Sequence, residues 1–201
     1  MEERYKGQYK NNLREGSGTY YYDDGSMYVG EWHKNLRHGK GVYTHKGGDT
    51  YNGEWYRDMM HGYGSYTFSN GAVYEGSWRK NLMHGEGIYY FANKSKYAGQ
   101  WKGDYMHGYG TYTFSNGAIY KGHWKNDKMH GKGIYITNYN SRHEGLWKNG
   151  HRHGKGIFYY ANGNIFKGIW KDDAKNGKGV LTGADGEIIH IGMWEDDEFV
   201  G

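Results

Sequence analysis

Apolar and polar positions alternate strictly along short runs of the chain. Tyr28-Val29-Gly30-Glu31-Trp32 places a ring, a glycine and a ring at every second residue. Gly62-Tyr63-Gly64-Ser65-Tyr66-Thr67-Phe68 does the same. A period of two sends these residues to one face of a β-strand. No stretch carries apolar residues at a 3.6-residue period, so essentially no helix is expected. Between the two kinds of run lie Ser69-Asn70-Gly71 and its equivalents. Their glycines (Gly25, Gly48, Gly71, Gly117, Gly163 and Gly186) can take a positive φ in a tight turn. Lys94 and Asn140 hold the same slot. Asn tolerates the left-handed region, whereas Lys94 must be strained or sit in a different turn.

The alternation is itself repeated. MHGYGSYTFSNGAVYEGSW from Met60 returns as MHGYGTYTFSNGAIYKGHW from Met106, 46 residues later, and this is twice a period of 23. Units begin at Tyr5, Tyr28, Tyr51, Tyr74, Tyr97, Tyr120, His143 and Phe166, with a partial ninth from His190. One residue is inserted near Ile188-Ile189. Ten residues into a unit comes His-Gly-x-Gly, led by His38, His61, His84, His107, His130 and His153. Glu15 and Asn176 replace the histidine in the first and eighth units. Each unit predicts two antiparallel strands. The whole chain, residues 1–201, predicts one all-β array: an elongated single-sheet solenoid of hairpins, a twisted rod. One face receives the rings and glycines, with the tryptophans in a ladder. The other receives Lys, Glu, Gln, Ser and Thr.

Composition sharpens this picture. The chain has 36 Gly, 23 Tyr and 8 Trp but no Pro, and a mean hydropathy of −1.07. A thick aliphatic core is not available, so the rings must supply the burial, each worth about 150–250 Å². There is no cysteine, which removes disulfides and thiolate chemistry. No apolar run approaches the ~18 residues of a membrane-spanning helix. With no secretory signal at Met1, a reducing intracellular compartment is expected and Asn93-Lys94-Ser95 is read as a chance sequon. The net charge of +4 is mild and spread out.

Repetition argues against catalysis, because a catalytic constellation is usually unique and nearly every polar residue here has periodic equivalents. No phosphate-loop or dinucleotide fingerprint appears among the glycines. No catalytic residue, no cofactor and no metal site is assigned. The recurring histidines stand about 10 Å apart, two strand spacings, which is too far to share one zinc ion. They read as turn residues that hydrogen-bond their loop and pack on a ring. A zinc site shared between two chains around His151 and His153 is the one metal alternative. Nucleic acid is not an expected partner, since the rings fall where packing needs them and acids are interspersed with the lysines.

Tyr-x-Gly-x-Trp followed by His-Gly-x-Gly at a 23-residue period resembles the MORN repeat (membrane occupation and recognition nexus). Choline-binding hairpin repeats are also rich in Trp, Gly and Tyr, but their period is nearer 20 residues and they lack His-Gly-x-Gly. The resemblance implies a non-catalytic scaffold, interaction or oligomerisation module. A chain made only of repeats is most similar to the MORN-only cytoskeletal proteins of protozoa. That implies a cytoplasmic place at the cytoskeleton or cell cortex, and other cytoskeletal proteins as partners.

Two surface features lie outside the repeat pattern. The residue after each Trp position becomes a row of cations, Arg79, Lys102, Lys125, Lys148 and Lys171. It suits an anionic membrane, giving the alternative function of a peripheral phospholipid-binding module; equally, lysines at a sheet margin discourage edge pairing. The residue before each Trp position is polar in the first six units and becomes Leu146, Ile169 and Met193 in the last three. Ile191 and the second-strand residues Ile134, Ile136, Ile157 and Val180 join them on that face. A single-layer sheet has no internal use for this strip, so it predicts a homodimer through the C-terminal repeats. The competing expectation is an internal cap by Glu195–Gly201, with Phe199 and Val200 as cover.

Overall fold

The structure is a computed structural model and describes residues 4–201. The chain divides into two compact units. One runs to Lys94 and takes in Gln100–Asp104; the other comprises Ser95–Gly99 and Tyr105–Gly201. The first contains β1 (Tyr5–Lys10), β2 (Leu13–Tyr21), β3 (Met27–His33), β4 (Leu36–Thr44), β5 (Thr50–Tyr56), β6 (Met59–Thr67), β7 (Val73–Arg79) and β8 (Leu82–Tyr90). Residues of β9 (Lys96–Lys102) belong to both. The second contains β10 (Tyr105–Thr113), β11 (Ile119–Lys125), β12 (Lys128–Ile136), β13 (Arg142–Lys148) and β14 (His151–Tyr159). It continues with β15 (Ile165–Lys171), β16 (Ala174–Thr182), β17 (Ile188–Glu195) and β18 (Glu198–Phe199). From β1 to β8, and from β10 to β18, each strand pairs antiparallel with the next in sequence. Among the described residues there is no helix. The fold is the all-β array of hairpins that the alternation predicts, an open sheet one layer thick in each unit.

Two turn types close the hairpins. The Gly71 slot has φ between 86° and 98° at Gly25, Gly48, Gly71, Gly117, Gly163 and Gly186. Lys94 stands there at φ 69°, so the turn is kept and the lysine is strained. The other connection is two residues long, and both take positive φ: Lys34 and Asn35 at 49° and 69°, Arg57 and Asp58 at 50° and 66°. Such mirror-image turns match the twist of the flanking strands. Their second residue also reaches back to the preceding hairpin. Asn35 accepts from the N–H of Arg14 at 2.8 Å, Asp58 from Arg37 at 2.9 Å, and Asp104 from Met83 at 2.8 Å. In the second unit Asp127 accepts from Met106 and Asp173 from Arg152, both at 2.8 Å.

The ring face is the core. Tyr28, Tyr51, Tyr74, Tyr97 and Tyr120 are fully buried, and every tryptophan is nearly so. Each tyrosine lies edge-on between two tryptophans: Tyr28 sits 5.1 Å from Trp32 and 5.4 Å from Trp55. Edge-to-face pairs of this kind contribute about 0.5–1.5 kcal/mol beyond area burial. The ring of Tyr28 lies across Gly30 and Gly41, and a Cβ on Gly41 would collide with it. Its hydroxyl donates to the Glu31 carbonyl at 3.0 Å. The indoles are lidded by the second strand: the guanidinium of Arg37 stands 4.2 Å from the Trp55 ring, and Met60 and Met83 are cross-strand partners of Trp55 and Trp78.

His-Gly-x-Gly is a β-bulge rather than a turn. Gly30 pairs with Gly41 and Glu31 with His38, so Gly39 and Lys40 have no opposite number on β3, although they pair with Trp55 and Glu54 of β5. Gly39 absorbs the extra length at φ 57°. His38 therefore lies within β4, its ring 5.2 Å from Tyr56 and 5.6 Å from His33. The inserted residue near Ile188-Ile189 is a second bulge: Leu181 pairs with His190 and Thr182 with Ile188, leaving Ile189 unpaired.

Candidate interaction surface

The face opposite the rings is built by the same alternation. In the first unit its polar residues have structural work. The side chain of Gln8 accepts the N–H of Ser17 at 2.9 Å, Glu31 that of Lys40 at 2.9 Å, and Glu54 that of Tyr63 at 3.2 Å. Each satisfies a backbone donor that the bulge frees. The residue before Trp is thus a bulge cap, a role its mere polarity did not reveal.

Leu146, Ile169 and Met193 occupy this position in the second unit and cannot accept a hydrogen bond. Met193 (43% exposed) and Leu146 (39%) remain at the surface with Ile191 (63%) and Ile136 (38%), whereas Ile169 is half-buried. Ile134, Ile157 and Val180 are half-buried. The register sets these beside charged residues, except Ile191, which pairs with Val180. Leu146 pairs with Lys132, Ile169 with Lys155, and Met193 with Lys178. Ile134 pairs with Lys121 and Glu144, and Ile157 with Glu144 and Lys167. The predicted strip is one face, and it is hollowed. Three adjoining cavities of about 610, 450 and 460 Å³ run along it. The first two share Glu144 and Lys155, and the last two share Lys167. Sequence reasoning missed the walls, Lys121, Lys132, Lys155 and Lys178, because the lysines are commonplace until the register places them beside the isoleucines.

The end of the chain leaves this strip bare. β18 pairs with β17, and Phe199 turns to the ring face, stacking on His190 at 4.4 Å and meeting Trp194 at 5.4 Å. Val200 is exposed. The internal cap therefore does not form over Leu146 and Ile169.

The cationic row is exposed throughout: Arg79 and Lys102 in the first unit, Lys125, Lys148 and Lys171 in the second. In the second unit acids accompany it at the adjoining turns, namely Asp127, Asp172 and Asp173. Asp173 holds Arg152 at 3.3 Å and His151 at 2.6 Å. Burial raises the Asp173 carboxyl, but its hydrogen bonds from the Arg152 backbone and from His151 outweigh this and lower it. His153 stands 3.7 Å from Asp172. The two histidines of the zinc alternative thus face carboxylates of their own chain. Among the described residues no group of three or more His, Cys, Asp or Glu is arranged to hold a metal ion.

These features define a class, a repeat array in which stacked hairpins bury a ladder of rings. The MORN repeat model matches residues 5–27, 28–50, 51–73, 74–96, 97–119, 120–138, 143–165 and 166–188, and the chain belongs to the MORN-repeat family. No curated protein matches the chain. Among solved structures it is similar to the SAS-4 (dCPAP) TCP domain of Drosophila melanogaster in complex with a proline-rich motif of Ana2 (dSTIL). The identity is 14% and the TM-score 0.47, over 78% of this chain and 85% of that one. It is also similar to the TCP10 domain of Danio rerio CPAP in complex with a STIL peptide, at 11% identity and TM-score 0.44, over 89% and 84%. A catalytically inactive virginiamycin B lyase from Staphylococcus aureus matches at 10% identity and TM-score 0.20, over 96% and 75%.

Proposed function

We propose that this chain is a non-catalytic scaffold that binds other protein chains, and that the ring-free face of the second unit is its contact surface. The observation that carries the reading is the exposed strip from Leu146 to Met193. Leu146 and Ile169 replace bulge caps, so each costs the array a hydrogen bond worth about 1 kcal/mol, and the strip leaves Leu146, Ile191 and Met193 exposed. Exposed contiguous apolar surface of this kind marks an association site. A place at the cytoskeleton or cell cortex, and a homodimer through the same strip, are finer forms of the proposal that rest on the family resemblance and on the strip itself. The test compares the chain with its Leu146→Glu, Ile169→Glu variant, both shown folded by circular dichroism. Self-association is read by sedimentation, and protein neighbours by cross-linking in an extract of the source cell. Association lost in the variant supports the reading. Association indifferent to both substitutions overturns it.

A further inference from the structure

The geometry points to an acidic, extended peptide segment of another protein as the occupant of the groove along Ile134, Ile157 and Val180; this rests on the reading of that face as a contact surface. The walls carry Lys121, Lys132, Lys155, Lys167 and Lys178 against a single acid, Glu144. That acid is already paired with Arg142 at 3.1 Å. No ion pair joins any of the five lysines to a carboxylate among the described residues. The groove is thus an apolar floor between uncompensated cations. A second copy, the homodimer named above, would set five lysines against five if paired face to face, so the groove itself favours a different occupant. An acidic ligand neutralises them.

The spacing selects the ligand's conformation. Ile134, Ile157 and Val180 lie on β12, β14 and β16, two strand spacings apart, or about 9.6 Å. A polyproline-type segment rises about 3.1 Å per residue with three residues per turn, so every third side chain returns to the same side after about 9.3 Å. An apolar residue at every third position then meets one apolar floor residue per hairpin. The acids between them lie along the lysine walls.

The probe is a fluorescein-labelled peptide of Leu-Glu-Pro repeated five times, titrated with the full chain and followed by fluorescence anisotropy at ~0.15 M salt. Saturable binding is expected, weakened roughly tenfold or more by Lys155→Glu with Lys167→Glu. It is also expected to weaken at ~1 M salt, where the Debye length falls to ~3 Å. Lys148→Glu, outside the groove, leaves it unchanged. Absence of saturable binding, equal binding of a Leu-Lys-Pro peptide, or indifference to the double lysine variant overturns the proposal. Self-association abolished by Leu146→Glu with Ile169→Glu, without peptide binding, keeps the contact surface and assigns the groove to a second copy. Binding to phosphatidylserine vesicles that needs Lys155 and Lys167, again without peptide binding, assigns it to a membrane and likewise overturns the proposal.

Discussion

The indole N–H of Trp55 donates to the carbonyl of Gly41 at 3.1 Å. Gly41 is also a glycine on which the Tyr28 ring lies. One residue therefore floors the ring of its own hairpin and accepts from the tryptophan of the next. The link recurs between Trp78 and Gly64 at 3.1 Å, and between Trp124 and Gly110 at 3.2 Å. Such coupling makes stability in an array a matter of nearest neighbours.

Trp101 donates to Gly87 at 3.3 Å and packs on Tyr74 at 5.4 Å. Trp101→Ala should cost about 3–5 kcal/mol in chemical denaturation. Hydrogen exchange should rise most in β7 and β8. A midpoint within error of the parent would show that the ladder is not the core.

Lys94 has the left-handed backbone that its equivalents give to glycine. That conformation costs an L-residue about 1–2 kcal/mol, offset in part by the greater unfolded-state freedom of glycine. Lys94→Gly should therefore stabilise the chain by up to about 1 kcal/mol. A drop in melting temperature would contradict the strain assigned to this turn.

His143 stands where other units have tyrosine, 5.3 Å from Trp147 and 5.1 Å from Trp170. Neither ring nitrogen has a hydrogen-bond partner. Burial first, and the Arg152 charge second, push its pKa from 6.5 down to about 4, with Asp173 pulling the other way. The unfolded chain therefore binds the proton before the folded chain does. Stability is complete above about pH 6.5 and falls as the pH drops toward 4, by at most about 3 kcal/mol at ~1.4 kcal/mol per pH unit. In His143→Tyr this contribution should vanish from denaturation midpoints compared at pH 7.5 and pH 5. Equal slopes in parent and variant would refute the assignment.

Asp58 accepts the Arg37 backbone N–H at 2.9 Å and its guanidinium at 3.1 Å, tying one hairpin to the next. Asp58→Ala should cost about 1–2 kcal/mol, discounted from two full hydrogen bonds because the carboxylate is part-exposed. Asp58→Asn, which keeps an acceptor, should recover about half. An unchanged stability in Asp58→Ala would mean that water replaces the tie.

The ring face was legible in the sequence because strand alternation leaves it one arrangement: Tyr28, Gly30 and Trp32 must share a side. The positive φ of Gly71 followed from turn chemistry alone, which left Lys94 either strained or in a different turn; its φ of 69° decides for strain. The bulge was not legible. His38-Gly39-Lys40-Gly41 keeps the period of two on paper, and only the register shows that Gly39 and Lys40 have no partner on β3. The cap role of Glu31 was hidden for the same reason, since its acceptor function exists only once the bulge frees the Lys40 N–H. The strip at Leu146, Ile169 and Met193 was visible as a break in a repeating column. Its lysine walls were not, because they come from neighbouring strands, as Lys132 pairs with Leu146, Lys155 with Ile169 and Lys178 with Met193.

Amide hydrogen exchange of the full chain, with and without saturating Leu-Glu-Pro peptide, tests the contact surface most directly. Slowed exchange is expected at residues 132–136, 144–146, 155–157, 167–169 and 178–180, and not at β3 to β6. Unchanged exchange along the strip, or protection confined to the turns that flank Arg79 and Lys102, would contradict the account.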